Sequence, residues 1–390
     1  MTTSVEAALT TLRGGMPVKP LDARRIAGSL DQPGCPRRQL LDAAAVPLDV
    51  VAQLLNCPDA GRSPFAISRG NSFEQRVFDN GMAELVSLVR SHLGYDIGDV
   101  GQVDLSAEQI QATFGRCDNQ LRTRETQRHL QAMLAGDPAA CCLLRHPMLT
   151  LNVGGIAVYL EADAVSFFAG GQLTTVEVKS FPAIDGVPDP GKTASALLQS
   201  AVYVLALQDA VTALGYDPSV ISTRVLLVLT RDFTLTPTAF VYDVASKVRR
   251  LRRRLNGLPS TSELAAAIPV GTSLPNPPAR NASVEDRAET ARQAADAVSA
   301  LSCRFGDGCM SCPLFRFCRD ESRAIGAVSA AGSAVAEVCG DVSTVSAALQ
   351  LAAGTLTPQT PAERAVAFHL GRAAAVAARR AAVQTNSQIA

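Results

Sequence analysis

Residues 173–179 read LTTVEVK, an alternating stretch that predicts a β-strand with Glu177 and Lys179 on one face. Before it, short apolar segments separated by paired glycines predict further strands. After it, residues 192–209 have the pattern of a helix, and the continuous apolar run at 225–229 predicts a strand covered on both faces. The order helix, three strands, helix, strand predicts an α/β fold built on a mixed β-sheet flanked by helices.

The composition is that of a folded chain without strong overall charge. Of 390 residues, 47% are hydrophobic and 18% charged, which excludes an intrinsically disordered chain. The formal net charge is zero, so any contact with DNA must depend on local basic patches. We find no secretory signal in residues 1–12 and no uninterrupted run of about 18 apolar residues. We therefore expect a cytoplasmic protein without membrane contact, whose ten cysteines are thiols or metal ligands.

Helical segments are expected at both ends of the predicted sheet. Residues 1–50 predict an N-terminal extension of short helices and turns, and residues 321–390 predict an Ala-rich helical tail. Between them, residues 51–320 would form the core, closed by a cysteine cluster. A strong helical periodicity at 72–92 places a helix before the sheet, and the proline-rich segment 256–280 predicts a linker.

Three side chains suited to phosphodiester hydrolysis are expected to meet on the sheet. Asp163 ends one strand of a predicted hairpin, which can return Glu177 beside it, and Lys179 projects from the same strand face as Glu177. Carboxylates are the hard oxygen ligands that Mg²⁺ and Mn²⁺ prefer. An ammonium beside them can orient the attacking water or offset charge in the transition state. The set therefore predicts a divalent-metal site for phosphodiester cleavage.

Two further patterns occur at matching places in the chain. Glu74 follows Gly70 by four residues on the helix before the sheet. Gln199 and Tyr203, at i and i+4, share one face of the helix after it. Each pattern alone is more typical of solvated surface or of packing. It is their joint order on the predicted elements that favours an active site.

With these motifs the chain resembles the RecB-like branch of the PD-(D/E)xK nucleases. In that branch G-x-x-x-H, Asp, E-x-K and Q-x-x-x-Y follow one another. The resemblance covers about residues 50–320. It implies a restriction-endonuclease-like core, and DNA as the substrate. Glu74 occupies the position of the family's histidine, where an acid can still help to hold the metal.

The resemblance also implies a role for each residue that matches a motif. Asp163 and Glu177 would be the metal ligands, and Lys179 the catalytic lysine. Gln199 and Tyr203 would act on DNA or on the surroundings of the site. The resemblance does not explain either end of the chain.

Cysteines 309, 312 and 318 form the pattern C-x2-C-P-x4-C. Three thiolates at this spacing can converge on one metal centre. The pattern is similar to that of the iron–sulfur nucleases of CRISPR adaptation and of AddB-type helicase–nucleases. That similarity implies a structural 4Fe-4S cluster, with a fourth cysteine supplied from before the first nuclease motif.

The fourth ligand has more than one candidate in the sequence. Cys57 follows an apolar helix and lies close to the first motif, and it is the one we favour. Cys35 opens the sequence Cys-Pro-Arg-Arg, which also looks like the family's entry sequence. Cys303 could complete the set locally, an arrangement that would fit zinc instead of iron.

A phosphate-binding P-loop pattern at 186–193 raises a different function. The pattern matches letter for letter, but Pro188 and Pro190 have no N–H group to offer a phosphate, which argues against an NTPase. A basic helix at 244–255 is either a solvated face or a stripe that contacts phosphates.

The sequence thus predicts a divalent-metal DNA nuclease with a structural iron–sulfur cluster. Such a protein would act in DNA repair, recombination or phage defence, beside a helicase or another subunit of such a system. The alternatives are a non-catalytic DNA-binding or scaffolding subunit with a zinc or iron–sulfur staple, and a P-loop NTPase.

Overall fold

The computed structural model describes most of the chain and has a mixed α/β backbone. The described residues are 2–30, 34–57, 64–78, 82–94, 101–137, 140–162, 165–169 and 171–387. They divide into two compact units. Unit 1 comprises Met1–Leu9, Val18–Pro33 and Ala60–Ala267, and unit 2 comprises Thr10–Pro17, Gly34–Asp59 and Ile268–Ala390. Unit 2 therefore combines parts of all three predicted segments, 1–50, 51–320 and 321–390.

Helices make up most of the regular structure of both units. In chain order they are α1 (Thr2–Arg13), α2 (Ala23–Leu30), α3 (Pro36–Ala43), α4 (Leu48–Leu54), α5 (Pro64–Phe78), α6 (Ala83–Leu93), α7 (Ala107–Phe114), α8 (Asn119–Leu134), α9 (Pro190–Ala213), α10 (Ala245–Asn256), α11 (Thr261–Ala266), α12 (Val284–Ala300), α13 (Phe315–Ala324), α14 (Ser333–Cys339), α15 (Val345–Ala353) and α16 (Pro361–Ser387).

The strands that the structure describes all lie in unit 1. They are β1 (Gln102–Asp104), β2 (Leu143–Arg145), β3 (Met148–Val153), β4 (Ile156–Glu161), β5 (Val165–Ala169), β6 (Gln172–Ile184), β7 (Val187–Pro188), β8 (Arg224–Arg231) and β9 (Pro237–Asp243). The main sheet has the order β1-β2-β5-β6-β8-β9, with β7 paired to β6, while β3 and β4 form a separate hairpin. Strands β1 and β2 are parallel, as are β6 and β8, and the other pairs are antiparallel. The predicted mixed sheet is therefore confirmed.

Strands β6 and β8 are interior strands of this sheet, and apolar side chains cover both of their faces. Val176 and Val178 of β6 pack with Phe73 and Val77 of α5 on one face. On the other face, Leu227 of β8 packs in a cluster that includes a residue of α9. Successive side chains of a strand point to opposite faces, so Glu177 belongs to the face that carries Leu227, its partner in the β6–β8 register.

Helix α9 is the crossover that joins the parallel strands β6 and β8. Such a connection needs a long segment that covers the sheet. Among the helices the structure describes, α9 is the one candidate long and apolar enough to cross a membrane, and 67% of its apolar window is buried inside the protein. Burial of this kind fits the core helix of a soluble protein.

Several sequence-based boundaries need correction. The single helix predicted over 72–92 is two helices, α5 and α6, and residues 79–81 between them lie outside the described part. Residues 106–148 have a polar pattern that predicts helix throughout, but their end forms strand β2. Strands β1 and β2 have three residues each, too few to show a two-residue period. The sequence analysis also missed β9, which continues the sheet beyond β8.

Unit 2 is helical in its described residues, and its C-terminal part has an apolar cluster of its own. The cluster joins helices α14, α15 and α16 through side chains such as Cys339, Leu351 and Val366. A capping box begins α16. Thr360 Oγ1 accepts from Glu363 N at 3.1 Å, and Glu363 Oε2 accepts from Thr360 N at 3.2 Å.

We predict that Leu227→Ala destabilises unit 1 by about 2–5 kcal/mol, because it removes a fully buried side chain from the central strand and leaves a cavity. Chemical denaturation monitored by circular dichroism measures the change. Leu235→Ala is the matched control, since that leucine is 37% exposed and its loss should cost less than about 1 kcal/mol. Equal effects of the two substitutions would contradict the central position of β8.

Candidate functional site

The Glu177–Lys179 pair lies on the central strand β6. Lys179 Nζ is 2.6 Å from Glu177 Oε1, and the side chains are 24% and 0% exposed, respectively. A buried carboxylate is costly unless a cation and hydrogen bonds compensate for the lost water. The prediction that these two side chains share one strand face is therefore confirmed, and their pairing explains how the protein accommodates the charge.

Asp163, the second predicted metal ligand, lies outside the described residues. The register of β5 and β6 begins nearby, with Val165 opposite Val176. Within the described part of the chain, no group of three or more His, Cys, Asp or Glu side chains could hold a metal ion as it stands. The meeting of Asp163 with Glu177 stays a prediction.

Gln199 and Tyr203 of α9 form a hydrogen-bonded pair that reaches the end of β4. Gln199 Nε2 donates to Tyr203 Oη at 3.1 Å, and Tyr203 Oη donates to the carbonyl oxygen of Glu161 at 3.1 Å. Their predicted common helix face is therefore confirmed. Because Glu161 precedes Asp163 by two residues, this pair fixes the backbone that leads to the predicted ligand.

Arg122 of α8 holds the same region from another side, and the sequence analysis missed it. Its guanidinium donates to Leu105 O at 2.9 Å, to Glu161 Oε2 at 2.7 Å and to His146 O at 3.1 Å. The residue is only 3% exposed. One buried arginine thus joins the end of β4 to the corner between β2 and β3.

His146, at that corner, bridges two carboxylates. Its Nδ1 is 2.9 Å from Asp104 Oδ1, and its Nε2 is 3.7 Å from Glu74 Oε1. The hydrogen bond with Asp104 raises the pKa of His146 to about 9, and the contact with Glu74 adds to this. Burial opposes ionisation of Asp104, but the hydrogen bond from His146 brings the pKa of Asp104 down to about 2. His146 is therefore a cation at neutral pH.

The RecB-like pattern has a histidine at the position of Glu74, and in this chain a histidine from another element lies beside that position. Glu74 occupies the motif position, and the imidazole of His146 lies against its carboxylate. Gly70, one turn earlier on α5, lies beside β6, since a Cβ there would be 3.6 Å from Ser180 Oγ. No sequence spacing could have revealed this contact, because Glu74, Asp104 and His146 come from three separate elements.

The thiols of unit 2 also come together. Cys303 is hydrogen-bonded to both Cys35 and Cys318. Arg37 Nη1 donates to Cys318 Sγ at 3.1 Å, and Arg38 Nη1 lies 3.8 Å from Cys312 Sγ. The Cys-Pro-Arg-Arg sequence therefore contributes one thiol and two guanidinium groups to the region that the C-x2-C-P-x4-C pattern occupies.

The pKa values of these thiols are shifted in different directions. The hydrogen bond from Cys303 lowers the pKa of Cys35 to about 5 despite burial. The same kind of contact, aided by Arg37, lowers the pKa of Cys318. The hydrogen bonds that it makes to Cys318 and Cys35 raise the pKa of Cys303 instead. Cys303 thus keeps its proton between two sulfurs that favour the thiolate form.

The two arginines are anchored by other groups as well. Arg37 donates to Leu301 O from Nε at 3.0 Å and from Nη2 at 2.9 Å, and it pairs with Glu321 at 2.8 Å. Arg38 pairs with Asp42 at 2.5 Å within α3. These contacts keep both guanidinium groups buried and direct the Nη1 group of each toward a cysteine sulfur.

Cys57, which the sequence favours as the distant ligand, also lies in this region, since its sulfur accepts a hydrogen bond from the backbone N–H of Phe317 and is near Cys318. Its Sγ donates to the carbonyl oxygen of Leu55 at 3.4 Å, and burial raises its pKa. The structure places Cys35, not Cys57, in hydrogen-bond contact with Cys303. The signal that favoured Cys57 was its distance along the chain from the first motif, which does not report distance in space.

The P-loop pattern does not form a phosphate cradle. Pro188 pairs with Ala183 in β7, and Asp189 caps α9 by accepting from Lys192 N at 2.8 Å. The carboxylate of Asp189 therefore occupies the helix start where a phosphate would bind. This arrangement agrees with the expectation against an NTPase.

The basic helix α10 buries one stripe and exposes its cations. Val248 and Leu251 are buried in the core of unit 1. Arg252 pairs with Asp209 of α9 at 2.9 Å. The remaining arginines of the helix, Arg249, Arg250, Arg253 and Arg254, are exposed.

Searches of protein-family models, curated proteins and solved structures return no match to this chain. The resemblance to RecB-like nucleases therefore rests on the order and spacing of the motifs alone.

We predict that Asp104→Asn lowers the pKa of His146 from about 9 toward the ordinary value of 6.5, because the charged hydrogen-bond partner is lost. Two-dimensional NMR of the imidazole signals measures the midpoint. Asp217→Asn, at an exposed site of unit 1, is the control and should leave it unchanged.

The same pKa shift makes stability depend on pH. The folded-state pKa of His146 is raised, so its contribution is fully present below about pH 6.5 and is lost as pH rises through about 9. His146→Gln should remove that part of the pH dependence. A wild-type midpoint near 6.5 would show that the bridge to Asp104 and Glu74 does not form in solution.

Proposed function

We propose that this protein is a divalent-metal-dependent DNA nuclease with a PD-(D/E)xK core and a structural iron–sulfur cluster. The observation that carries the proposal is the buried Glu177–Lys179 pair on the central strand. The carboxylate and the ammonium are in direct contact, and the carboxylate is not exposed. Buried charged pairs of this kind favour an active site.

The order of elements around this pair supports the finer fold assignment. Helix α5 packs on β6, the antiparallel strands β5 and β6 follow one another, α9 crosses over, and β8 returns parallel to β6. The E-x-K motif lies on β6 and the Q-x-x-x-Y motif on α9, as the RecB-like resemblance implies.

The donor set fits a hard divalent cation. Glu177 offers carboxylate oxygens from a rigid strand, and Asp163 is the second ligand expected from the sequence. Bound Mg²⁺ or Mn²⁺ would supply Lewis-acid stabilisation of the phosphoryl oxygens and a water of lowered pKa. Glu74, held by His146, is the candidate for a further ligand.

The chain's own groups would perform the remaining tasks. Lys179 would hold Glu177 in place and donate to the attacking water or to the charge that develops on the phosphate. Tyr203, oriented by Gln199, would keep the end of β4 in position. The exposed arginines of α10 would contact the DNA backbone and make binding sensitive to salt.

We propose that Cys35, Cys309, Cys312 and Cys318 of unit 2 form a four-cysteine centre when the metal binds. Cys35, Cys309 and Cys318 are buried, and two of the four sulfurs have a guanidinium nearby. Hydrogen bonds and nearby charge are among the factors that tune iron–sulfur centres. Bound iron and sulfide would join segments far apart in the chain, and a zinc ion would staple the same segments.

We infer a cytoplasmic role in DNA repair, recombination or phage defence from this chemistry. Reducing conditions preserve thiol ligands, which favours the cytoplasm. A helicase or another subunit of such a system remains the proposed partner, because the one nucleotide-binding pattern in the sequence does not form a phosphate cradle.

We predict that Lys179→Ala and Glu177→Gln each reduce DNA cleavage by at least about 100-fold, because each removes one charge from the buried pair. Cleavage of labelled single- and double-stranded DNA in Mg²⁺ or Mn²⁺, with EDTA as the blank, measures the loss. Lys19→Ala and Glu285→Gln remove the same charges elsewhere and should cleave as the wild type does.

Two outcomes would count against the nuclease. Cleavage by Lys179→Ala at the wild-type rate would refute the assigned role of the lysine. A wild-type protein that binds DNA but never cuts it, whatever the divalent metal, would support the non-catalytic DNA-binding subunit instead.

We predict that Cys35→Ser loses most of the iron of the anaerobically purified protein, whereas Cys57→Ser keeps it. The reason is that Cys35 is hydrogen-bonded to another thiol of the region, Cys303, whereas Cys57 donates to a backbone carbonyl. Iron analysis and the visible absorption spectrum measure the difference. The opposite pattern would restore Cys57 as the ligand, and stoichiometric zinc in place of iron would favour the zinc staple.

A further inference from the structure

The thiols of this region of unit 2 outnumber the ligands that one metal centre takes. In the proposed centre, Cys35, Cys309, Cys312 and Cys318 supply the four thiolates that a 4Fe-4S cluster or a structural zinc ion requires. Two further thiols lie in this region: Cys303 is hydrogen-bonded to Cys35 and Cys318, and Cys57 is near Cys318. Thiols are therefore left over whichever metal binds, and Cys303 is the one in contact with Cys35.

The backbone holds the left-over thiol against Cys35. Arg37 N donates to Ser302 O at 2.9 Å, so the residue before Cys303 is fixed to the start of α3. The sulfur of Cys35 in turn accepts hydrogen bonds from the backbone N–H groups of Arg304 and Arg38. Neighbours on both sides of Cys303 are thus bound to the segment that carries Cys35. A disulfide needs this kind of close and fixed approach between two backbones.

Cys318, the other neighbour of Cys303, is held differently. Its sulfur accepts a hydrogen bond from Arg37 Nη1 at 3.1 Å, and its position in α13 belongs to the C-x2-C-P-x4-C pattern. Cys35, on a separate segment, is the partner whose bonding would change the connectivity of the unit.

We propose that Cys35 and Cys303 form a thiol–disulfide exchange site that reacts with low-molecular-weight disulfides when the metal centre is absent. This inference rests on the proposed function in one respect, namely that Cys35 is also a cluster ligand. The cluster and the disulfide then exclude each other. A chain that has lost its cluster keeps α3 joined to the Cys303 segment by a covalent bond instead.

The exchange proceeds in two balanced steps. One thiolate of the pair attacks a sulfur of the small disulfide, which forms a mixed disulfide and releases one small thiol. The second thiolate then attacks the protein sulfur of the mixed disulfide and releases the other small thiol. The two protein thiols together lose two electrons and two protons, and the small disulfide is reduced to two thiols.

The test uses the full-length chain, reduced and stripped of metal by a chelator under anaerobic conditions. It is equilibrated in buffers of glutathione and glutathione disulfide, after which free thiols are alkylated and peptides are mapped by mass spectrometry. We expect the protein to lose the mass of two hydrogen atoms and to yield the Cys35 and Cys303 peptides as one cross-linked species. Reconstitution with iron and sulfide before oxidation should suppress that species.

Two variants separate this site from a general effect on folding. Cys303→Ser should keep the full iron content after reconstitution but form no intrachain cross-link, and it should retain a glutathione adduct on Cys35. Cys339→Ser removes a buried thiol of the C-terminal cluster of unit 2 and should behave as the wild type in both assays. Circular dichroism checks that each variant is folded.

A cross-link between Cys303 and Cys318 as the main product, or none under oxidising buffers, would overturn the proposal. Loss of iron in Cys303→Ser would show that Cys303 is itself a ligand and is not a surplus thiol. The mapping measures neither DNA cleavage nor metal binding. Failure of the nuclease proposal would therefore leave the disulfide result intact, and the two failures can be told apart.

Discussion

The burial of Glu177 is the constraint on which the arrangement of unit 1 depends. A carboxylate without exposure to water is tolerated only where a cation and a rigid environment replace the solvent. Lys179 supplies the cation from the same strand face, so the spacing of two residues is dictated by strand geometry. Strands β5 and β8 on either side of β6 fix the backbone, and α9 covers the sheet above it.

Both units handle buried charge in a similar way, with arginine at the junction of several segments. Arg122 donates to three acceptors from separate elements, and Arg37 donates to a carbonyl, a carboxylate and a sulfur. The guanidinium group offers five N–H donors in a planar fork, which suits it to such junctions. In unit 1 the junction positions the end of β4, and in unit 2 it positions the thiols.

The sequence predicted those parts of the structure whose signal is local. The alternation of LTTVEVK and the apolar run at 225–229 predicted β6 and β8, because strand periodicity is visible in a few residues. The i, i+4 spacing likewise placed Gln199 and Tyr203 on one helix face. The three-residue strands β1 and β2 carry too little pattern to be recognised.

What the sequence could not predict depends on tertiary packing. The contacts of His146 with Glu74 and Asp104 join three elements that have no fixed spacing along the chain. The choice between Cys35 and Cys57 is of the same kind, since both precede the first motif and only packing distinguishes them. Asp163 lies outside the described residues, so its place beside Glu177 remains an expectation.

Unit 2 is formed by segments that are far apart in the sequence, so its cysteines are synthesised at different times. Cys35 leaves the ribosome before Cys303 and the other thiols of its group, which follow only after the whole of Ala60–Ala267 has been synthesised. At roughly 5–20 residues per second, that delay lasts from about a quarter of a minute to one minute. During this interval unit 1 can begin to fold, but the thiols that contact Cys35 in the folded unit 2 have not yet been synthesised. Until unit 2 has folded, the Cys35 thiol of the nascent chain is therefore kept reduced by its surroundings and not by the contacts of the folded protein.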